Sequence, residues 1–308
     1  MTKVFFYCDE SGSKGYADRG EAYPGEVGVF AGIMVPESEI ERVKPAFDAI
    51  GRKYAPPSGK LHIADLAADK QQALRDELYA ATRQSGLPCF WYAMHVEGFH
   101  KHHMDLQEML KQHAAGLKAA RGDAEPRVKR GSPRIEVPSM HVALFSGLYS
   151  HLVAFLLERK QRKVDVEIRT DQVDNPIVKQ FEQVADQLLN DDPEVIKATG
   201  FDTVAKKIVN GSITTSVHWP DDLKLPPVVQ SLSIETVPDS DGLVLAVDVL
   251  ANSLNYLFKS RDVAERYRPL NRLEAIAAHP LAEQLDAFAH WGSDDLLGDG
   301  IYRHPLAT

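Results

Sequence analysis

The chain has 308 residues, 44% of them apolar, and a formal net charge of −9. A chain of this length buries about three quarters of the surface it would expose unfolded, so folding needs neither disulfides nor a structural metal. The acidic balance argues against broad electrostatic wrapping of nucleic acid, although it leaves room for a local basic groove.

The N-terminal stretch MTKVFFYCDESGS has one lysine before a six-residue apolar run. That run is too short for a signal peptide's apolar core or for crossing a bilayer. Later helix candidates are interrupted by Asp, Asn, His or Gly, so the expectation is a cytoplasmic protein with no membrane-spanning segment. The two cysteines, Cys8 and Cys89, lie in apolar runs and form no metal-binding pair or redox motif, so both read as small buried thiols.

Val4–Cys8 reads as a buried strand stopped by a turn at Asp9-Glu10-Ser11-Gly12-Ser13. Val27–Val35 reads as a second strand, joined to the first as an antiparallel hairpin through a long irregular loop. Ser38 is expected to cap a helix to about Ile50. Lys60–Leu66 begins with alternating polar and apolar residues, Asp69 opens a helix to Ser85, and Leu87–Val96 is an aromatic-rich strand. From Glu97 to Pro138 the periodicity is poor apart from a helix over Lys101–Lys118, and we read residues 97–138 as an insertion into one domain spanning 1–308. His100, His102, His103 and His113 lack a paired acid or cysteine at ligand spacing and read as surface histidines. The basic run Lys118, Arg121, Arg127, Lys129, Arg130 and Arg134 is either a solvated loop or a phosphate-contacting arm.

Ser139 is expected to cap a long helix to Glu158 that is apolar nearly all round. Lys163–Thr170 alternates as a half-exposed strand ending at Asp171, and Asn175-Pro176 starts a helix to about Leu189. Further strands are expected over Val204–Ser216 and Val228–Glu235. Gly242–Phe258 is a helix, and Tyr267–Leu273 and Leu281–Trp291 are expected as helices of a C-terminal extension over 260–308.

Three acids carry the chemistry. On the helix Gly242–Phe258, Asp248 shares one stripe with Asp241, Asn252 and Asn255, and the rest of the cylinder is apolar. A carboxylate buried there costs several kcal/mol unless it is hydrogen-bonded, paired or bound to a metal. Asp9 and Glu10 end the first strand and, if the extended conformation persists, face opposite sides of the sheet, with Asp9 the favoured partner of the late helix. Asp171 ends another strand, with Asp174 a turn later.

Hard oxygen ligands gathered from such strand ends suit Mg²⁺ or Mn²⁺, and two ions could activate water and stabilise the leaving oxygen of a phosphodiester. Lys60 and His62 would point the same way in an extended segment, one to meet a phosphate and one to move a proton, with Asp65 able to orient the ring. The plainer alternatives are that Asp9 bonds loop amides, Asp171 is a turn residue, Asp248 is a structural acid, and Lys60 and His62 lie on a surface loop. There is no nucleophile elbow, ATPase-type phosphate loop or dinucleotide-binding glycine pattern.

Tyr7-Cys8-Asp9-Glu10-Ser11-Gly12, Val29–Val35, Lys60-Leu61-His62 and Leu245–Ala251 together resemble the bacterial and phage family catalogued as domain of unknown function 3800, over about residues 3–260. The resemblance implies an α/β fold with an RNase H-like mixed five-stranded sheet and flanking helices. It places the family's acids on Asp9, Glu10, Asp171 and Asp248 as metal ligands. Two positions depart from the family pattern: Arg169-Thr170 precede the middle acid, and Val247 stands where alanine is common. The function expected on this basis is a divalent-metal-dependent nuclease or phosphodiester hydrolase with nucleic acid as its partner. The alternatives are a non-catalytic interaction module and a toxin-like or defence effector.

Overall fold

The computed structural model describes residues 2–56, 61, 63, 66–122, 125–131, 136–171, 175–189, 194–216, 228–238, 240–285 and 301–307. Its centre is a sheet of five strands, built outward from β1 (Lys3–Gly12). β2 (Val27–Pro36) runs antiparallel to β1, from Val4 opposite Pro36 to Gly12 opposite Gly28, and β3 (Cys89–His95) runs antiparallel along the far side of β2. On the other side of β1 lie β5 (Val164–Thr170) and then β8 (Val229–Thr236), both parallel to it. β2 is therefore the one strand of this sheet that runs against the rest.

β2 is apolar at nearly every position because both of its faces are covered. On one face α1 (Glu37–Tyr54), α2 (Ala68–Ser85) and α6 (Gly242–Lys259) enclose a core that includes Phe5, Tyr7, Ala31, Val247 and Leu250. On the other, α4 (Met140–Glu158) and α5 (Asn175–Leu189) cover Phe6, Cys8, Phe30, Leu144 and Phe145. Two glycines set the spacing. A Cβ on Gly32 would stand 2.4 Å from the Phe6 ring, and one on Gly242 would stand 2.2 Å from the Phe47 carbonyl carbon, so the Phe6 ring can lie over β2 and α6 can pack against α1 only without side chains there.

Several elements differ from the expectations above. β1 does not stop at Cys8: its ladder with β2 continues through Gly12, because Asp9, Glu10 and Ser11 all find register partners on the apolar strand. α1 starts at Glu37 with Pro36 at the cap position, and neither Ser38 nor any other side chain caps it; a proline there loses no amide that the helix needs. Ser139 occupies the cap position of α4 but its side chain makes no cap bond. α3 (Val96–Arg121) is longer than expected and buries His103, while His100 Nδ1 lies 2.7 Å from the Ala17 carbonyl oxygen, so these two are not surface histidines. β4 (Val128–Arg130) joins β6 (Glu194–Asp202) and β7 (Lys207–Thr215) in a second, three-stranded sheet. β6 was not anticipated, and residues 203–206 turn between it and β7 rather than opening the expected Val204–Ser216 strand.

No helix forms over Tyr267–Leu273. Pro269 removes a helical amide, and the segment instead seals the edge of β3: Trp91 Nε1 donates to the Leu270 carbonyl, and the Asn271 amide both donates to and accepts from Ala93 at 2.8 Å. α7 (Leu273–Ile276) is a single turn, α8 begins at Ala282 and is described to Leu285, and the remainder of the expected Leu281–Trp291 helix lies outside the described residues. α4 is long and apolar enough to cross a membrane by length and composition, contrary to the expectation that no segment would qualify. Of that stretch 61% is buried inside the protein, where it packs on the sheet.

Candidate active site

The C-terminal end of β1 separates the two opening acids. Because the strand persists, Asp9 shares the α6 face with Tyr7, and Glu10 shares the α4 face with Cys8. Asp9 is only 6% exposed and its Oδ1 accepts the Glu10 amide at 2.8 Å. Burial pushes its carboxyl well above the usual carboxylate range, and the charges of Glu10, Asp171 and Asp248 push it further in the same direction. The Cys8 thiol, fully buried on the α4 face, is raised by burial and by Asp9, Glu10 and Asp171. Glu10, Asp171 and Asp248 thus each lie within electrostatic reach of Asp9.

Asp171 reaches this place through the parallel pairing of β1 and β5. The ladder ends with Tyr7 opposite Arg169, and Asp171, two residues beyond Arg169, comes within electrostatic reach of Asp9. Arg169 explains the departure at that position. Its Nη1 donates to the Tyr7 hydroxyl at 2.7 Å, its Nε donates to Glu167 Oε1 at 2.7 Å, and its guanidinium lies over the Phe5 ring, so it ties the two strands together just before the acid.

On α6 three residues of the polar stripe make described hydrogen bonds. Asp241 caps the helix, accepting from the amides of Leu243 and Val244, and takes the Lys44 ammonium at 2.7 Å. Asp248 is half-buried in the middle. Asn252 Oδ1 accepts from Arg75 at 3.4 Å, and Asn255 Nδ2 donates to Ser11 Oγ at 3.3 Å, which docks the helix on the end of β1.

Glu10 belongs to a different environment. Lys14, one turn beyond it in the loop, forms an ion pair with Oε1. His141 Nε2 lies 3.4 Å from Oε2, an ion-pair distance without a hydrogen bond's alignment. Burial works against the Glu10 charge, but His141 and Lys14 outweigh it and hold the carboxyl down at about 2. His141 is placed by the pairing of the post-β1 loop with the start of α4, where the Met140 amide donates to the Gly15 carbonyl at 2.8 Å. Neither Lys14 nor His141 was legible as a site residue, since nothing in the sequence links residue 141 to residue 10.

Lys60, His62, Asp65 and Asp174 lie outside the described residues. Among the described residues, no group of three His, Cys, Asp or Glu side chains is placed to hold a metal ion. A serine and a histidine do meet on the far side of α6, with Ser253 Oγ 2.8 Å from His279 Nε2. His279 Nδ1 accepts the Leu281 amide, so the neutral ring carries its proton on Nε2 and donates to the serine, which in turn donates to the Leu250 carbonyl. That is the wrong direction for activating a nucleophile, and the pair is structural.

A five-stranded mixed sheet in the order β3-β2-β1-β5-β8, with β2 alone reversed and helices on both faces, has the RNase H-like fold. No protein-family model matches the chain, and no curated protein matches it. Among solved structures it is similar to the crystal structure of Bst-RNase HIII in complex with Mn²⁺, at 10% identity and a TM-score of 0.33, over 94% of this chain and 66% of that one. A likeness that loose bears on neither site nor chemistry, and the fold rests on strand order and direction.

Proposed function

We propose that the protein is a divalent-metal-dependent nuclease or related phosphodiester hydrolase, with Asp9, Asp171 and Asp248 as its metal-binding acids. The observation that carries this reading is the buried Asp9 carboxyl with three other acids in electrostatic reach and, among its described contacts, a single backbone amide donating to it. The Lys14 ammonium reaches Asp9 and Asp171 electrostatically, yet the Asp9 carboxyl stays well above the usual range, so its ionised form would gain from a bound metal cation. An all-carboxylate donor set is hard and suits Mg²⁺ or Mn²⁺ over zinc. As placed, the acids form no ready cage, so binding would draw the half-buried Asp171 and Asp248 side chains toward Asp9. When bound, the metal would supply Lewis acidity toward a phosphodiester and its attacking water.

The chain's own residues have defined parts in this reading. Asp9 is held by the β1–β2 ladder opposite Ala31, Asp171 by the Arg169 tie, and Asp248 by a helix fixed at both ends through Asp241 and Asn255. Glu10, turned to the other face and paired with Lys14 beside His141, supports the strand end in preference to joining Asp9 on one ion. Lys60 and His62 keep their proposed roles toward the phosphate. Membership in the family of domain of unknown function 3800 is part of the proposal and rests on the four sequence motifs.

The test is Mn²⁺ binding by calorimetry in the wild type, Asp9→Asn and Asp248→Asn. A specific binding event that either substitution weakens supports the assignment. Equal binding in all three proteins rejects it.

A further inference from the structure

Arg75 is a half-buried guanidinium that, among the described residues, makes one long hydrogen bond. It lies on α2, and its Nη2 donates to Asn252 Oδ1 at 3.4 Å. Asn252 follows Asp248 by one helical turn, about 6 Å along the α6 axis, on the same stripe.

No carboxylate neutralises Arg75 among the described residues. The positions that face it on α2 are Gln71, Gln72, Leu78 and Tyr79, none of them acidic. The two acids that follow it are committed elsewhere: Asp76 accepts from Gln72, and Glu77 accepts from Lys53 and Tyr54. A guanidinium offers five donors in a rigid fork that matches a phosphate. One long bond leaves most of that capacity unused in a place where water is partly excluded.

We infer that Arg75, braced by Asn252, is the anion-binding group of this site and contacts a non-bridging oxygen of a phosphodiester presented to the acids. The inference rests on the nuclease reading and adds a residue to it. A cluster of carboxylates repels a phosphate, and a cation held on Asn252, the residue one helical turn beyond Asp248, offsets that repulsion and sets where the backbone of the substrate lies. Arginine is suited to this place because its orientation, as well as its charge, is held by the amide of Asn252.

The experiment measures affinity for short labelled single-stranded DNA and RNA, with Ca²⁺ in place of Mn²⁺, across a series of salt concentrations. Wild type, Arg75→Ala and Arg75→Lys are compared, and Mn²⁺ binding and thermal unfolding are recorded for each. Loss of a phosphate contact lowers the slope of log affinity against log salt by about one and weakens binding uniformly across sequences. We expect Arg75→Ala to show that loss with affinity reduced about tenfold, Arg75→Lys to recover part of it, and Mn²⁺ binding to be unchanged in both. Wild-type affinity and slope in Arg75→Ala overturn the inference. So does a weaker, less stable Arg75→Ala protein with an unchanged slope, which would make Arg75 a strut for α6. If wild type and Asp9→Asn take up Mn²⁺ alike, the nuclease reading fails by itself, and the salt slope still decides whether Arg75 holds an anion.

Discussion

Replacing Asp9 by asparagine should stabilise the metal-free protein, and the reasoning can be followed through the structure. The side chain is 6% exposed and keeps its shape in the variant. Asparagine Oδ1 can still accept the Glu10 amide, now as a neutral acceptor, at a loss of about 1 kcal/mol. Against that, an ion taken out of water costs several kcal/mol in real proteins, and Glu10, Asp171 and Asp248 add repulsion. The balance favours the variant by about 1–3 kcal/mol where Asp9 is ionised.

The pH dependence has a definite sign. Because the folded-state pKa of Asp9 is raised, the folded wild type binds this proton more tightly than the unfolded chain. Its contribution to stability is therefore present below the ordinary carboxylate range and is lost as pH rises through the elevated value. The advantage of Asp9→Asn should grow as pH rises over the same span. Thermal unfolding in chelator at several pH values measures it, with roughly 2–4 °C expected per kcal/mol for chains somewhat shorter than this one. A variant that is less stable than wild type at alkaline pH, or one whose difference from wild type does not change with pH, would refute the argument.

Glu10→Gln should act in the opposite sense. It removes the partner of Lys14 and His141 inside a covered site, and should destabilise the protein at neutral pH by about 2–4 kcal/mol. The Glu10 carboxyl is depressed to about 2, so the stability it provides is present above the ordinary glutamate pKa and disappears as pH falls through about 2. Denaturant titrations of both proteins from neutral to strongly acidic pH should converge at the acid end. Gly242→Ala places a methyl group 2.2–2.4 Å from the backbone of Phe47 and Asp48, which cannot move aside as a side chain can. It should cost about 3 kcal/mol or more, whereas Gly86→Ala, which meets nothing within 4 Å and carries only the strain of a φ of +62°, should cost about 1 kcal/mol. Their unfolding midpoints give the comparison.

What was legible in the sequence follows from periodicity. β2 reads as a strand because both of its faces are covered, and α6 reads as a buried helix because its polar residues return at intervals of three, four and seven. The split between Asp9 and Glu10 was legible as a condition, since alternation separates adjacent residues if the strand continues, and the β1–β2 ladder carries it through Gly12. The misses share a cause, which is that tertiary pairing overrode local pattern. Residues 267–272 hold leucine and tyrosine at helical spacing, yet Asn271 is worth more as a plug for the exposed Ala93 backbone. β6 mixes polar and apolar residues without clean alternation because much of it is exposed and forms a strand by pairing with β4 and β7. His141 and Arg75 lie 131 residues from Glu10 and 177 residues from Asn252, respectively. Nothing local to either residue marks it as part of a site.

The central claim is that a cation belongs among Asp9, Asp171 and Asp248. Anomalous diffraction from crystals soaked in Mn²⁺ tests it most directly. The account predicts a manganese peak with carboxylate oxygens of Asp9 and Asp248 in its coordination shell, at about 2.1–2.2 Å. Manganese bound only elsewhere on the molecule, with the Asp9 carboxyl still bonded to the Glu10 amide and to no metal, would contradict it.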